Sequence, residues 1–379
     1  MNQESIYDVA IAGGGLAGLT MSIHLARKGY HVVVFEKEQY PFHRVCGEYI
    51  SLESVDFLKK TGVDIYDLDL PVIDTLVVTA PDGTSLKQTL PLGGFGISRY
   101  YLDNILSGIA KEAGVDIKEN DKVFDMKYED GEFHVLSKSG SYRSGVAVGS
   151  FGKRSNLDVK WHREFLRNKP SKLNNFIGIK YHIRYEHPKN TIVLHNFENG
   201  YCGMSSIEDN ACCLCYLTTA NNLELSGNSI SNLESKFLYR NPHLEHIFRN
   251  AEFIFKEPIT ISQVSFDQKD CVEEHVLLAG DAAGMITPLC GNGMSMAMHA
   301  GKIATDLIDA FLQHRISRDS MENQYRREWE NNFSGRLRTG RLIQSMFGKP
   351  VLTNLFVRGM KPFPGLVSLL IRQTHGKVF

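Results

Sequence analysis

One arrangement near the N-terminus restricts the fold more than any other: YDVAIA, then GGGLAG, then LTMSIHLARKGY, then HVVVFEK. The short apolar run from Tyr7 to Ala12 reads as a buried parallel strand. The next apolar residues recur at helical spacing and stop at Gly29, and a second buried strand starts at His31. This β-α-β order requires two parallel strands in one sheet with the helix crossing over it. In that setting Gly13 permits the tight turn, Gly15 lets a pyrophosphate approach the backbone, and Gly18 lets the helix pack close to the strand. Leu16 and Ala17 open the helix, whose unpaired N–H groups and positive dipole end suit phosphate. Glu36 ends the second strand, where a carboxylate accepts hydrogen bonds from ribose hydroxyls and disfavours the 2′-phosphate of NADP. Lys37, beside it, joins the candidate cofactor set. A lone GxGxxG is weak evidence; the strand before it and the acid after it make it specific.

A second motif, GDAAGMITPLCGNGMSMAM, follows the buried run VLLAG. Gly280 and Asp281 stand at the strand end, and Pro288, Gly291, Asn292, Gly293 and Met294 lead into a long helix expected from about Asn292 to Leu312. A simple nicotinamide dehydrogenase does not need this segment. A flavin does: Asp281 can partner its ribityl chain, and a glycine-lined helix start offers N–H groups to the negative charge of the reduced ring.

With both motifs in place, the chain resembles the p-hydroxybenzoate hydroxylase superfamily of FAD enzymes over about residues 5 to 320. Within it, PFHRVCGEYIS (residues 41–51) is more similar to the PxxKxCGG segment of geranylgeranyl reductases than to a typical aromatic hydroxylase. It is also similar to the GES-containing segment of flavin-dependent halogenases, but the WxWxIP motif of those enzymes is absent. The resemblance implies that the loop crosses the flavin, with Arg44 and Arg99 on the cofactor, Cys46 and Gly47 near the ring, and Glu48 orienting the loop or facing substrate. Cys46 and Glu48 are the candidate catalytic residues, and His43 is expected to donate a hydrogen bond within the loop. One segment departs from the family. Where GADGxxSxxR is usual, the chain has GSFGKRSNLD, with Phe151 in place of the acid and Asp158 in place of the arginine. NAD(P)H therefore stays open as electron donor.

These readings imply an α/β fold: a Rossmann-like, glutathione reductase-type FAD-binding domain, an inserted antiparallel-sheet substrate domain, and a C-terminal helical segment. Residues 1–60, 97–165 and 262–320 are assigned to the first, 61–96 and 166–261 to the second, and 321–379 to the third. A formal net charge of −1 offers no electrostatic case for nucleic acid. No apolar run is long enough for a membrane span, and the acidic N-terminus lacks a basic signal-peptide region, so a cytoplasmic chain is expected. The seven cysteines show neither disulfide density nor zinc spacing and read as reduced thiols, with no metal expected. The stretch from Asn331 to Phe379 holds eight Lys/Arg and no Asp/Glu around LTNLFV and PGLVSLLI. It reads either as a packed helical pair with a solvated basic face or as a contact with an anionic membrane. The expected activity is that of an FAD-dependent monooxygenase acting on a hydrophobic aromatic or polyketide-like molecule. The alternatives are a reductase of lipid double bonds and a flavin-binding protein without turnover.

Overall fold

The computed structural model describes residues 5–167, 174–346 and 348–379. Its first sheet runs in the order Val272–Glu273, Val276–Leu278, Ser141–Gly149, Ser5–Ala12, Val32–Phe35, Asp116–Lys118. Ser5–Ala12 pairs in parallel with both Val32–Phe35 and Ser141–Gly149, and Val276–Leu278 joins in parallel beyond. The hairpin Val123–Glu129 and Glu132–Ser137 extends this sheet antiparallel from Ser141–Gly149. The parallel strands are runs of Val, Ile, Leu and Ala because helices cover them. The helix Leu16–Arg27 packs between Arg99–Glu112 and the long helix Gly293–Leu312. The strands at Ala12, Phe35, Gly149 and Leu278 all end at one edge, where open α/β sheets bind ligands.

The second sheet has nine strands in the order Glu252–Phe253, Asn174–Arg184, Cys212–Thr219, Gly200–Ser206, Thr191–Phe197, Val72–Thr79, Ser85–Gly96, Tyr49–Ser51, with Ile259–Ser265 also on Asn174–Arg184. It is antiparallel except where Thr191–Phe197 meets Val72–Thr79 in parallel. Leu233, Phe237, Leu244 and Ile247 of the helices Ile230–Phe237 and Pro242–Asn250 seal part of it against Ile179, Leu214 and Tyr216. Val357, Met360 and Val367 of the helices Pro350–Met360 and Pro364–Thr374 pack on Val78 and Leu86 of another part.

The two sheets trade strands earlier and later than the sequence boundaries place them. Tyr49–Ser51, assigned with the flavin domain, pairs with Ser85–Gly96, and Ile259–Ser265 stays in the second sheet to its end. A crossing strand keeps its backbone bonded in one sheet before it turns, and no hydrophobic pattern marks that point. Residues 1–4, 168–173 and 347 of the assigned segments lie outside the described residues.

Candidate active site

At the first turn Gly13 has φ +111, and a Cβ there would stand 2.4 Å from the Ser150 carbonyl oxygen. A Cβ on Gly18 would stand 2.2 Å from the Gly13 carbonyl oxygen. Both glycines are therefore required by the protein's own packing. Gly15 is different: its nearest neighbour would be Arg99 Nη2 at 3.6 Å, so its free face opens on the site. Ser150 Oγ donates to the Gly13 carbonyl at 2.5 Å, and the Ser150 N–H donates to Ala12 O at 2.8 Å. The first intrahelical bond runs from Leu19 N–H to Gly15 O, and no side chain caps this helix. The N–H groups of Leu16, Ala17 and Gly18 are thus left for a phosphate.

The second motif opens on the same edge. Gly280 has φ +63, and burial pushes the Asp281 carboxyl above its usual range, against the pull of Lys269 and Arg99. Pro288–Cys290 forms a short turn into Gly291, which has φ +64, and the helix from Gly293 and Met294 also starts without a side-chain cap. Asn292 Nδ2 donates to Thr374 O at 2.9 Å, while its buried Oδ1 has no partner among the described residues. Two uncapped helix starts, the half-buried Asp281 carboxyl and an orphaned acceptor on one edge fit an FAD.

PFHRVCGEYIS joins the two sheets. On the flavin side, Arg44 Nη2 donates to Glu36 at 2.8 Å and its Nε to Asp103 at 3.1 Å. Arg99 grips the same Asp103 through Nε at 2.8 Å and Nη2 at 2.7 Å. Glu36 also accepts from the N–H groups of Gly14 and Glu38, each at 3.1 Å, which leaves its carboxylate room for about one further donor. Lys37 extends into solvent towards Glu38. Asp103, fully buried and absent from the sequence-derived set, is what aims both arginines; the signal for it was the i, i+4 spacing from Arg99.

On the other side, Glu48 is fully buried and has φ +55, a left-handed conformation that a non-glycine residue adopts at a cost. Its carboxylate accepts from Lys180 Nζ, from the Arg99 N–H at 2.8 Å, and meets His182 Nε2 at 2.6 Å. Burial alone would raise this acid; Lys180 and His182 outweigh it and hold it down at about 2. This saturated, ionised carboxylate fits the loop-orienting role and not contact with substrate. Glu48, His182 and Cys213 also bring ligand-type atoms within 4.8 Å of one another, but Lys180 already binds the carboxylate and its charge opposes a cation there. Ser205 Oγ donates to Gly47 O and Cys213 Sγ to Cys46 O, both at 3.2 Å, fixing the loop to the second sheet. Burial pushes the Cys46 thiol up, so it stays protonated. Against expectation, His43 donates no hydrogen bond among the described residues. Its Nδ1 is buried without a partner among them, and its ring sits among Tyr100, Phe255 and His182, held at about 4 by burial and then by Lys180. The departing segment is structural: Ser155 and Asp158 form a capping box, and buried Arg163 pairs with Asp158 at 2.8 Å.

Beside Gly291 lies a cavity of about 130 Å³, walled by aliphatic side chains of the second sheet and by the inner faces of the last two helices. Cys46 does not line it; Tyr49 does. The Tyr49 ring would touch a Cβ on Gly291 at 3.2 Å, and its hydroxyl is buried with no partner among the described residues. Burial, with Glu53 adding, pushes that hydroxyl up, so it remains protonated. Tyr49 sits in the loop motif, but its pattern there is that of a strand residue, so nothing in the sequence singled it out.

Conditioned medium factor receptor 1 of Dictyostelium discoideum is 25% identical over 88% of this chain and 69% of its own length. Digeranylgeranylglycerophospholipid reductase 1 of Methanococcoides burtonii is 24% identical over 90% of this chain and 84% of its own. The solved structure of the flavin-dependent brominase Bmp2 superposes with a TM-score of 0.77 at 21% identity, over 99% of this chain and 94% of that one, and so shares the fold. The family model described as an FAD binding domain matches residues 6–323, most of the chain. The protein therefore belongs to the FAD binding domain family of FAD-dependent oxidoreductases.

Proposed function

We propose that this protein is an FAD-dependent reductase that adds hydrogen across a carbon–carbon double bond in a long apolar chain. The observation that carries the reading is the cavity beside Gly291. Its walls are aliphatic but for Tyr49, Cys290, Phe356, Thr374 and His375. Its ~130 Å³ is close to the ~150 Å³ that takes up one benzene-sized group in a dry protein cavity, so it suits one segment of a chain. The name of the Methanococcoides relative supports the same substrate class. Oxygenation of an apolar molecule would need a similar cavity, so the two chemistries are separated by experiment.

Bound FAD, once reduced, supplies the hydride. The chain does the rest. Asp281 and the uncapped start at Gly293 and Met294 bind and orient the cofactor, and the helix end favours negative charge on the reduced ring. Val357, Met360 and Val367 give the cavity apolar walls that disfavour water. Tyr49 Oη holds a proton in that apolar wall for the alkene carbon that does not receive hydride.

The test reduces the holoprotein without oxygen and mixes it with a geranylgeranyl lipid. The expected result is anaerobic flavin reoxidation with a product richer by two hydrogens. Tyr49→Phe should slow that reoxidation by ~100-fold or more while leaving FAD content and reduction unchanged. Met360→Trp, which fills the cavity, should block it. Consumption of oxygen with one oxygen atom appearing in the product would instead make the protein a monooxygenase. Reoxidation indifferent to every substrate would leave a flavin-binding role without turnover.

A further inference from the structure

The last two helices are apolar on both sides. Their inner faces, with Val357, Met360 and Val367, line the cavity beside the flavin turn. Their outer faces carry Val351, Leu352, Leu355, Leu366 and Leu369, with exposures of 78, 48, 68, 48 and 51%. Phe363, in the turn between the helices, is 58% exposed, and Leu342 on the preceding helix is 62% exposed. Singly exposed apolar residues are ordinary, but a contiguous run of them marks an interaction surface. Around this surface Lys349, Lys361 and Arg372 are exposed and have no ion-pair partner among the described residues. The whole stretch from Asn331 holds no acid.

We infer that this face docks on an anionic bilayer and that the helix pair is a two-faced cover between the membrane and the cavity. The occupant is argued from charge complementarity. A protein partner matched to a basic apolar face would need its own acidic rim, whereas an anionic membrane offers acyl chains to Leu355 and Leu366 and negative headgroups to the three cations. Among the described residues no helix is long and apolar enough to cross a membrane, so the contact is with one leaflet. The geometry would let a lipid chain pass from the bilayer past Asn292–Thr374, where one hydrogen bond ties the last helix to the flavin turn. The docking itself does not depend on which reaction the flavin performs.

The experiment is flotation of the FAD-loaded protein with vesicles of phosphatidylcholine alone or with a third phosphatidylglycerol, read by flavin absorbance and without substrate. Binding is expected on the anionic vesicles and should fall steeply as salt rises. Leu355→Glu with Leu366→Glu, both outside the cavity walls, should reduce binding at least tenfold while flavin content stays unchanged. Lys349→Gln with Lys361→Gln should reduce it roughly fivefold per charge. A protein that stays off the anionic vesicles, or a double glutamate variant that binds as well as the parent, overturns the inference. So does a stable dimer that the same glutamates dissociate, because a second copy would then own the face. Because no turnover is read, failure here leaves the reductase reading standing, and failure of reductase activity leaves the docking result standing.

Discussion

Glu48→Gln is expected to lower stability by about 3 kcal/mol, a fall of several degrees in Tm, and to loosen the loop between the sheets. The cause is what the substitution leaves behind. Lys180 is fully buried, and Glu48 raises its pKa. Without the carboxylate its ammonium is an uncompensated buried charge, and breaking such a pair from one side costs far more than removing both partners. Lys180→Met combined with Glu48→Gln should therefore recover most of the loss, a non-additivity that a double-mutant cycle reads directly. The pair also has a pH signature. The folded pKa of Glu48, about 2, lies below its ordinary 4.5, so the stabilisation is fully present above about pH 4.5 and is lost as pH falls towards 2. Glu48→Gln should flatten the acid limb of the parent's stability profile in that window. A single variant as stable as the parent, or a double variant no better than the single, would sink the account.

That network shows where sequence reasoning succeeds and where it stops. The β-α-β unit and the last strand with its long helix were legible because each rests on local pattern: a buried run of Val, Ile or Ala, a glycine turn, and a helical period. The expected helix from Asn292 to Leu312 is Gly293–Leu312. Lys180 and His182 could not be found this way. They alternate with apolar residues in FIGIKYHIRY and look like the solvated face of a strand, yet the loop lies on that face and buries them against Glu48. Asp103 carried only its i, i+4 spacing from Arg99 as a signal, and a helical acid is ordinary until two arginines from different elements converge on it. Tyr49 was hidden because its pattern is that of a strand residue, and its hydroxyl has no partner among the described residues. Its significance is an orphaned hydroxyl beside a cavity, and cavities are made by tertiary packing.

Gly13→Ala and Gly15→Ala are expected to fail in two different ways, although both positions belong to one motif. At Gly13 the backbone has φ +111, and the new Cβ would press on the Ser150 carbonyl, which belongs to a neighbouring strand end and cannot move alone. The substitution should cost the apoprotein about 1–3 kcal/mol in backbone strain, before any steric term. It should also weaken FAD binding by ~100-fold, because the turn presents the phosphate-binding N–H groups. At Gly15 the new Cβ meets only Arg99 Nη2 at 3.6 Å, an ordinary contact. The apoprotein should keep its Tm, and the loss should appear only in FAD affinity, where the methyl group stands in the path of the pyrophosphate. Thermal melts of apo and FAD-loaded protein, with an FAD titration for each variant, separate the two. If Gly15→Ala destabilises the apoprotein as much as Gly13→Ala, then Gly15 is a packing residue. If it leaves FAD affinity unchanged, the pyrophosphate does not approach the turn at that face, and the cofactor orientation argued from the two helix starts is wrong.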